Sequence, residues 1–376
     1  MSKTKVKIVY FTGSRADYAP MKPILKRLNS LKQIKLEIVA SHMHLDRRFG
    51  LTVKQIEKDG FKIIARIKTK IRESKYGMLS EYQTIINKLP EILLKHQPDY
   101  LLIQGDRVES MAAAIAAYLL RIPVVHVGGG CISGGLDNGF RQTITQLADW
   151  HFAATENDGR RIINMGKPKN TVYVIGEPGL DAITTIKFPN KKEFFNKYRL
   201  DIKRKLFFVV FHPDTKESDY SYEDQIKPLL NFLSNTKEQI VQIYPNADTG
   251  GLKIRGLIDL AKQGKNNWHA LTNLSHEETL VFFKYADLVL GNSSGAIIEA
   301  PTFKTPVINI GQREKGREMA ANIIQAGYDT QEIEPAIKKA LSPKFQQEII
   351  NCQNLYGDGT TSQKFIKYFK ENALTL

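Results

Sequence analysis

The stretch that decides the fold is YLLIQGDRVESMAAAIAAYLLRIPVVHV, Tyr100 to Val127. Tyr100 to Gln104 is a continuous apolar run, the pattern of a strand buried on both faces. Val108 to Leu120 is helical in pattern, and Val124 to Val127 is a second β-branched run. A strand, a helix and a strand in immediate succession make a parallel pair with a right-handed crossover.

The same alternation extends outward. Upstream, Val6 to Phe11, Leu36 to Ala40 and Phe61 to Ile67 read as strands. Between the first two, Met21, Ile24, Leu28 and Leu31 recur at helical spacing. Tyr76 to His96 is helical in pattern, with Pro90 expected to break or kink it. Downstream, Phe140 to Ala148 is a helix, and His151 to Ala154 and Val172 to Ile175 are strands. The pattern restarts with strands at Leu206 to Phe211, Ile240 to Tyr244, Trp268 to Leu271, Leu288 to Leu290 and Val307 to Ile310, and a helix at His276 to Tyr285. A chain of 376 residues exceeds the usual size of one core. The expected fold is therefore α/β, with two Rossmann-like doubly wound domains facing a cleft. The expected boundaries are 1–180 for the first domain, 181–204 for a linker and 205–360 for the second. The amphipathic segment 361–376, with Phe365, Ile366 and Phe369 on one side, forms a C-terminal helix that can cross to the first domain.

Composition narrows the function classes. Lys and Arg number 54 against 39 Asp and Glu, a formal charge of +15. The charges are not strongly clustered, which reads as a lysine-rich solvated surface and gives no nucleic-acid arm. Two cysteines, Cys131 and Cys352, give no disulfide framework and no CxxC metal spacing. Arg121 and Pro123 interrupt the apolar stretch 111–127 well short of a membrane span. The run after the basic N-terminus is too short for a signal peptide. These features lead us to expect a cytoplasmic protein without nucleic-acid or membrane partners.

Four short segments end apolar runs, where an open α/β sheet carries its ligand chemistry. Thr12-Gly13-Ser14-Arg15-Ala16-Asp17-Tyr18 offers a turn, a helix N-terminus and an arginine fork suited to phosphate. It contains neither GxGxxG nor a Walker A lysine. Gly105-Asp106-Arg107-Val108-Glu109 places a carboxylate at a strand mouth, either as a base or as a cap of the following helix. In Phe211-His212-Pro213 the histidine can be an acid, a base or a diphosphate donor. Gly291-Asn292-Ser293-Ser294-Gly295 is either a diphosphate cradle or a plain serine cap. Glu299 follows one turn on from Gly295, and Arg313, Lys315 and Arg317 follow the next strand. His42 and His44, on opposite sides of an assumed strand, argue against a shared metal, and no metal constellation emerges.

Together these segments resemble the hydrolysing UDP-N-acetylglucosamine 2-epimerase family of sialic and legionaminic acid biosynthesis. The resemblance also covers Met43-His44-Leu45, Phe49-Gly50-Leu51-Thr52, Pro245-Asn246-Ala247-Asp248, Glu299-Ala300-Pro301, Pro306 to Gly311 and Tyr356-Gly357-Asp358-Gly359. It implies a glycosyltransferase-like two-domain (GT-B-like) fold, a nucleotide-sugar substrate in the interdomain cleft, no metal or redox cofactor, and a homodimer or homotetramer. By matched position it implies that Arg15, Ser293, Ser294 and Arg313 hold the diphosphate, with Gly295 beside them. Arg107 would lie near the nucleobase and Glu299 at the ribose. Asp106, Asp137, Arg141 and His212 would surround the sugar, with Glu109 as a further carboxylate. Asp17, His44 and Asn246 join the substrate-binding set. The implied reaction removes the proton at sugar C2, expels the nucleoside diphosphate from C1 and hydrates the resulting glycal with inverted C2.

One stretch departs from the family pattern. Where the family has an acidic residue or histidine, two glycines and a glutamate, this chain has Gly128-Gly129-Gly130-Cys131. The family's Arg-His pair is Arg141-Gln142 here. Three readings follow. The remaining groups suffice for UDP-N-acetylglucosamine; or the sugar differs, for example a 2,4-diacetamido-trideoxy sugar on UDP or GDP; or the chain is a glycosyltransferase or a weakened nucleotide-sugar-binding protein.

Overall fold

The computed structural model describes residues 5–70, 76–133, 136–215, 217–245, 250–272 and 274–373. Two compact units divide the chain. One comprises residues 1–132, 136–184 and 356–376, and the other residues 133–135 and 185–355.

The first unit holds seven strands: β1 (Val6–Thr12), β2 (Ile34–Ser41), β3 (Ile63–Ile67), β4 (Tyr100–Gln104), β5 (Val124–Val127), β6 (Trp150–Ala153) and β7 (Val172–Val174). All pairings are parallel, in the order β3-β2-β1-β4-β5-β6-β7. Successive side chains of β1 serve opposite faces. Ile8 and Tyr10 join one apolar cluster with Met21, Ile24 and Phe152. Val9 and Phe11 join a second with Ile85, Leu89 and Ala113. A sheet covered on both faces explains why its strands read as unbroken apolar runs.

The helix Gly77–His96 runs through Pro90 without a break, contrary to the sequence expectation. An interior proline costs a helical hydrogen bond. Ile85, Leu89 and Leu93, four residues apart, are fully buried on one face, and that packing outweighs the loss. At the other end of the chain, the helix Thr361–Tyr368 lies in the first unit. The Asp181 carboxylate accepts from the amides of Thr361 and Ser362, both at 2.7 Å, which satisfies two exposed helix-end donors. Phe365 packs on Phe152 with centroids 4.4 Å apart, and Phe369 on Tyr100 at 5.4 Å.

The second unit holds β8 (Leu206–Val210), β9 (Gln239–Ile243), β10 (Trp268–Leu271), β11 (Leu288–Gly291), β12 (Val307–Ile310) and β13 (Ile323–Ala326). Their order is β10-β9-β8-β11-β12-β13, again all parallel. The sequence reading lacked β13, a four-residue edge strand too short to show a period. It also treated 181–204 as a linker. From Thr185 onward that stretch belongs to the second unit, where buried Phe194 meets Phe282 at 4.8 Å.

Each sheet therefore reverses its winding once, between β1 and β4 and between β8 and β11. The four segments singled out in the sequence are the loops that leave those four strands. Ligands of open α/β sheets bind at such points, beyond the carboxyl ends of the strands.

Candidate active site

In the first unit, the turn after β1 is built around Asp17. Its carboxylate accepts from the amides of Gly13 and Ser14 and from the Ser14 hydroxyl, each at 2.8 Å. This capping arrangement starts the helix Arg15–Ser30 and leaves Arg15 exposed at its first position. Asp17 is buried, and burial raises its pKa. The carboxylate placed in the substrate-binding set from sequence shapes the turn.

His44 is internal as well. One ring nitrogen meets Thr12 Oγ1 at 3.0 Å and the other Thr52 Oγ1 at 2.7 Å. Burial lowers its pKa to about 4, so the ring is neutral at pH 7. His42 and His44 lie on a 3₁₀ turn, His42–Leu45, and not on the strand assumed from sequence. Both are bonded within this turn region, His44 to Thr12 and Thr52 and His42 to Thr69.

The loop after β4 carries the densest charge. Glu109 is fully buried in the first turn of helix Val108–Leu119 and accepts from Arg107 Nε at 2.6 Å. It packs so closely under the β1 turn that a Cβ on Gly13 would lie 2.6 Å from its Oε1. Glu109 thus supports both Arg107 and the β1 turn. The Arg107 side chain is 34% exposed, and the Glu109 charge raises its pKa. Asp106 is paired with Arg141 Nη2 from helix Asp137–Leu147. Arg141 is buried, and the Asp106 side chain is 25% exposed, so the carboxylate is both anchored and reachable. Asp137 opens the same helix, is exposed, and contributes to the charge felt by Arg107.

The glycine run after β5 has two kinds of position. A Cβ on Gly129 would lie 2.8 Å from Thr145 Oγ1, and one on Gly130 would lie 2.4 Å from the Asp158 carbonyl oxygen. Gly128, at φ +82°, has nothing within 4 Å of a built Cβ. His126 donates through Nε2 to the Gly105 carbonyl at 2.9 Å, and burial lowers its pKa to about 4. The backbone carbonyl of Cys131 accepts from Arg141 Nη1 at 3.1 Å and from Gln142 Nε2 at 2.9 Å. Two of the three positions that depart from the family pattern, Cys131 and Gln142, are thus bonded to each other through the Cys131 carbonyl.

In the second unit the design is different. Asn292 is fully buried and bridges the ends of β8 and β11. Its Oδ1 accepts from the His212 amide at 2.7 Å, and its Nδ2 donates to the His212 carbonyl at 2.8 Å. Ser293 and Ser294 then open the short helix Ser294–Ile298, and Ser293 makes no side-chain capping bond. Glu299 Oε1 lies 2.7 Å from His276 Nε2. Arg313 donates to the Asn292 carbonyl at 3.1 Å and to Glu314 at 2.6 Å. Glu314 is buried and also holds Arg317, while Lys315 is exposed. Asn246 lies outside the described residues.

Sequence reasoning missed Glu81, His276 and Glu314. Glu81 and His276 come from helices remote in sequence from the motifs they serve. Glu314 sits in plain view between Arg313 and Lys315, where its buried position had no sequence signal.

A family model described as UDP-N-acetylglucosamine 2-epimerase matches residues 26–370. A UDP-N,N'-diacetylbacillosamine 2-epimerase (hydrolyzing) of Legionella pneumophila is 36% identical over 368 residues, covering 97% of this chain and 95% of that one. A UDP-N-acetylglucosamine 2-epimerase of Neisseria meningitidis serogroup B is 31% identical over 337 residues, covering 89% and 88%. A crystal structure of a Neisseria meningitidis UDP-GlcNAc 2-epimerase bound to UDP-GlcNAc shares the fold at a TM-score of 0.84, with 20% identity, 98% of this chain and 100% of that one. The architecture is accordingly GT-B-like, and no described helix is long and apolar enough to cross a membrane. With the family model spanning most of the chain and the same motif loops at both switch points, this chain belongs to the UDP-N-acetylglucosamine 2-epimerase family.

Proposed function

We propose that this enzyme is a hydrolysing 2-epimerase of a UDP-linked 2-acetamido sugar. The observation that carries the reading is the Asp106–Arg141 pair, a reachable carboxylate anchored by a buried guanidinium at the first switch point. Asp106 removes the weakly acidic proton at C2 while UDP departs from C1, leaving a glycal. Arg141 offsets the negative charge that accumulates beside it. Water then adds at C1, and a proton is delivered to the opposite face of C2, a role that Asp137 fits by its position at the start of the same helix as Arg141. The products are UDP and the free sugar inverted at C2.

In the second unit, Ser293, Ser294, Gly295 and Arg313 hold the diphosphate, and Glu299, oriented by His276, takes the ribose hydroxyls. Arg15 and His212 assist at the diphosphate, and Arg107 contacts the base. Serine hydroxyls and backbone amides at a strand–helix junction suit phosphate oxygens.

UDP-N-acetylglucosamine is the default sugar. A 2,4-diacetamido-trideoxy sugar is the second reading. It is favoured by the Legionella relative and by the open space at Gly128. Separate incubations with the two UDP sugars, followed by chromatography for UDP and free sugar, test both. Release of UDP with a C2-inverted free sugar supports the reading. A UDP-bound epimer without UDP release contradicts the hydrolytic step, and UDP release only on adding an acceptor points to glycosyl transfer.

A further inference from the structure

Behind the Gly13 turn, buried groups from three elements converge. His42 comes from the turn after β2, Glu81 from helix Gly77–His96 and Glu109 from helix Val108–Leu119. One ligand-capable atom from each lies within 4.8 Å of the others. Their exposures are 2%, 5% and 0%. Glu109 Oε1 is taken by Arg107, but Oε2 is buried without a hydrogen-bond partner. Two carboxylates beside one guanidinium leave a single negative charge that burial makes strongly unfavourable. A proton or a cation must cancel it. A divalent ion would sit beside the Arg107 guanidinium, whose charge repels it. A single proton balances the group and also supplies the donor that Glu109 Oε2 lacks.

We propose that Glu81 is a neutral carboxylic acid whose O–H donates to Glu109 Oε2, making Glu81 a positioning residue for Arg107 and the Gly13 turn. Every charged or titratable group around it is consistent with that assignment. His42 Nδ1 lies 3.7 Å from Glu81 Oε1 and 2.9 Å from Thr69 Oγ1, and burial lowers its pKa, so it is neutral. Asp17, on the helix beyond Glu109, adds negative charge to the group, and Asp46, beyond His42, carries another. Burial and the Glu109 charge push Glu81 up to about 7. Burial is the largest single influence on Glu109 and acts to raise it, but the Arg107 charge, the Arg107 hydrogen bond and the remaining favourable contacts together outweigh it and hold that carboxyl low. The proton therefore resides on Glu81.

Glu81→Gln keeps a donor toward Glu109 and removes the titration. Thermal unfolding midpoints of the wild type and this variant are compared from pH 5 to pH 8. A carboxyl whose folded value lies near 7 and whose unfolded value is about 4.3 contributes stability at low pH and loses it as pH rises through the folded value. The midpoint of Glu81→Gln should therefore climb relative to wild type across this range and level off above about pH 7.5. Parallel curves overturn the proposal. Glu81→Leu, with no donor, should be less stable than Glu81→Gln at every pH; equal midpoints also overturn it. Metal analysis of the purified protein, with Zn²⁺ and Mn²⁺ titrations, tests the rival occupant. An equimolar ion held by wild type and lost in Glu81→Gln would put a cation in place of the proton. The positioning role rests on the proposed UDP-sugar site. There, KM should rise several-fold from pH 6 to pH 8 in wild type and stay level in Glu81→Gln. A shared profile removes that role. The unfolding curves do not depend on turnover, so they test the proton even if the epimerase reading fails.

Discussion

The two switch points share a strand order and differ in where they keep charge. At β1 and β4 the loops enclose Asp17, Glu81, Glu109, Arg107 and Arg141, and buried neutral histidines pack around them. At β8 and β11 the centre is a neutral amide, Asn292, and the His276–Glu299 hydrogen bond and the Arg313–Glu314–Arg317 ion cluster stand at its margin. On the proposed reading, the same backbone device serves two kinds of chemistry. Buried charge suits proton transfer, because low dielectric strengthens each interaction. Backbone and hydroxyl donors around a neutral pin suit a preformed anion, which needs no titration.

The largest test of that contrast is Asp106→Asn. It should lower kcat by about 10²–10⁴-fold, the usual worth of a positioned base. UDP affinity, proposed to rest mainly on the second unit, should move by no more than about twofold. Steady-state kinetics with calorimetric UDP titration measures both. Loss of UDP binding in step with kcat would erase the division of labour.

Acid should break the first unit before the second. The buried rings of His44 and His126 have values near 4, and that of His151 near 3, below the unfolded value of about 6.5. A histidine held neutral by burial contributes stability that is complete above its unfolded value and lost as pH falls through its folded one. A tenfold change in proton affinity between the folded and unfolded chain is worth about 1.4 kcal/mol, so the loss on acidification to about pH 4 amounts to several kcal/mol. Glu81 and Asp17, both raised, offset part of it. Trp150 lies in the first unit and Trp268 in the second. Single-tryptophan variants should therefore show Trp150 responding at higher pH than Trp268, and coincident transitions would remove the distinction.

Asn292→Ala should destabilise the second unit by roughly 2–3 kcal/mol, because it removes two buried hydrogen bonds to the His212 backbone. Urea unfolding of the Trp150→Phe background, which reports through Trp268, measures it. Glu299→Gln should have the smallest effect, a several-fold weaker UDP affinity worth about 1 kcal/mol, with kcat unchanged.

Most of this fold was legible in the chain because both faces of each sheet are covered. Runs such as Tyr100 to Ile103 and Leu206 to Val210 had no polar interruption to mislead. The edge strand β13 and the unbroken helix through Pro90 were not legible, since tertiary packing decides both. In the site, loop positions could be read from strand ends, but the direction of each side chain could not. Asp17 and His44 fit a ligand-contact pattern, yet turn inward to bond Gly13, Ser14, Thr12 and Thr52. Glu81 carries no motif at all; only the packing of its helix against Val108–Leu119 brings it to Glu109.

The most direct test of the proposed chemistry is proton NMR of the reaction in deuterated water. With UDP-N-acetylglucosamine or its 2,4-diacetamido counterpart, the account predicts free UDP and a C2-inverted sugar carrying deuterium at C2. A product that retains its original C2 proton would contradict proton removal at that carbon, and with it the role assigned to Asp106.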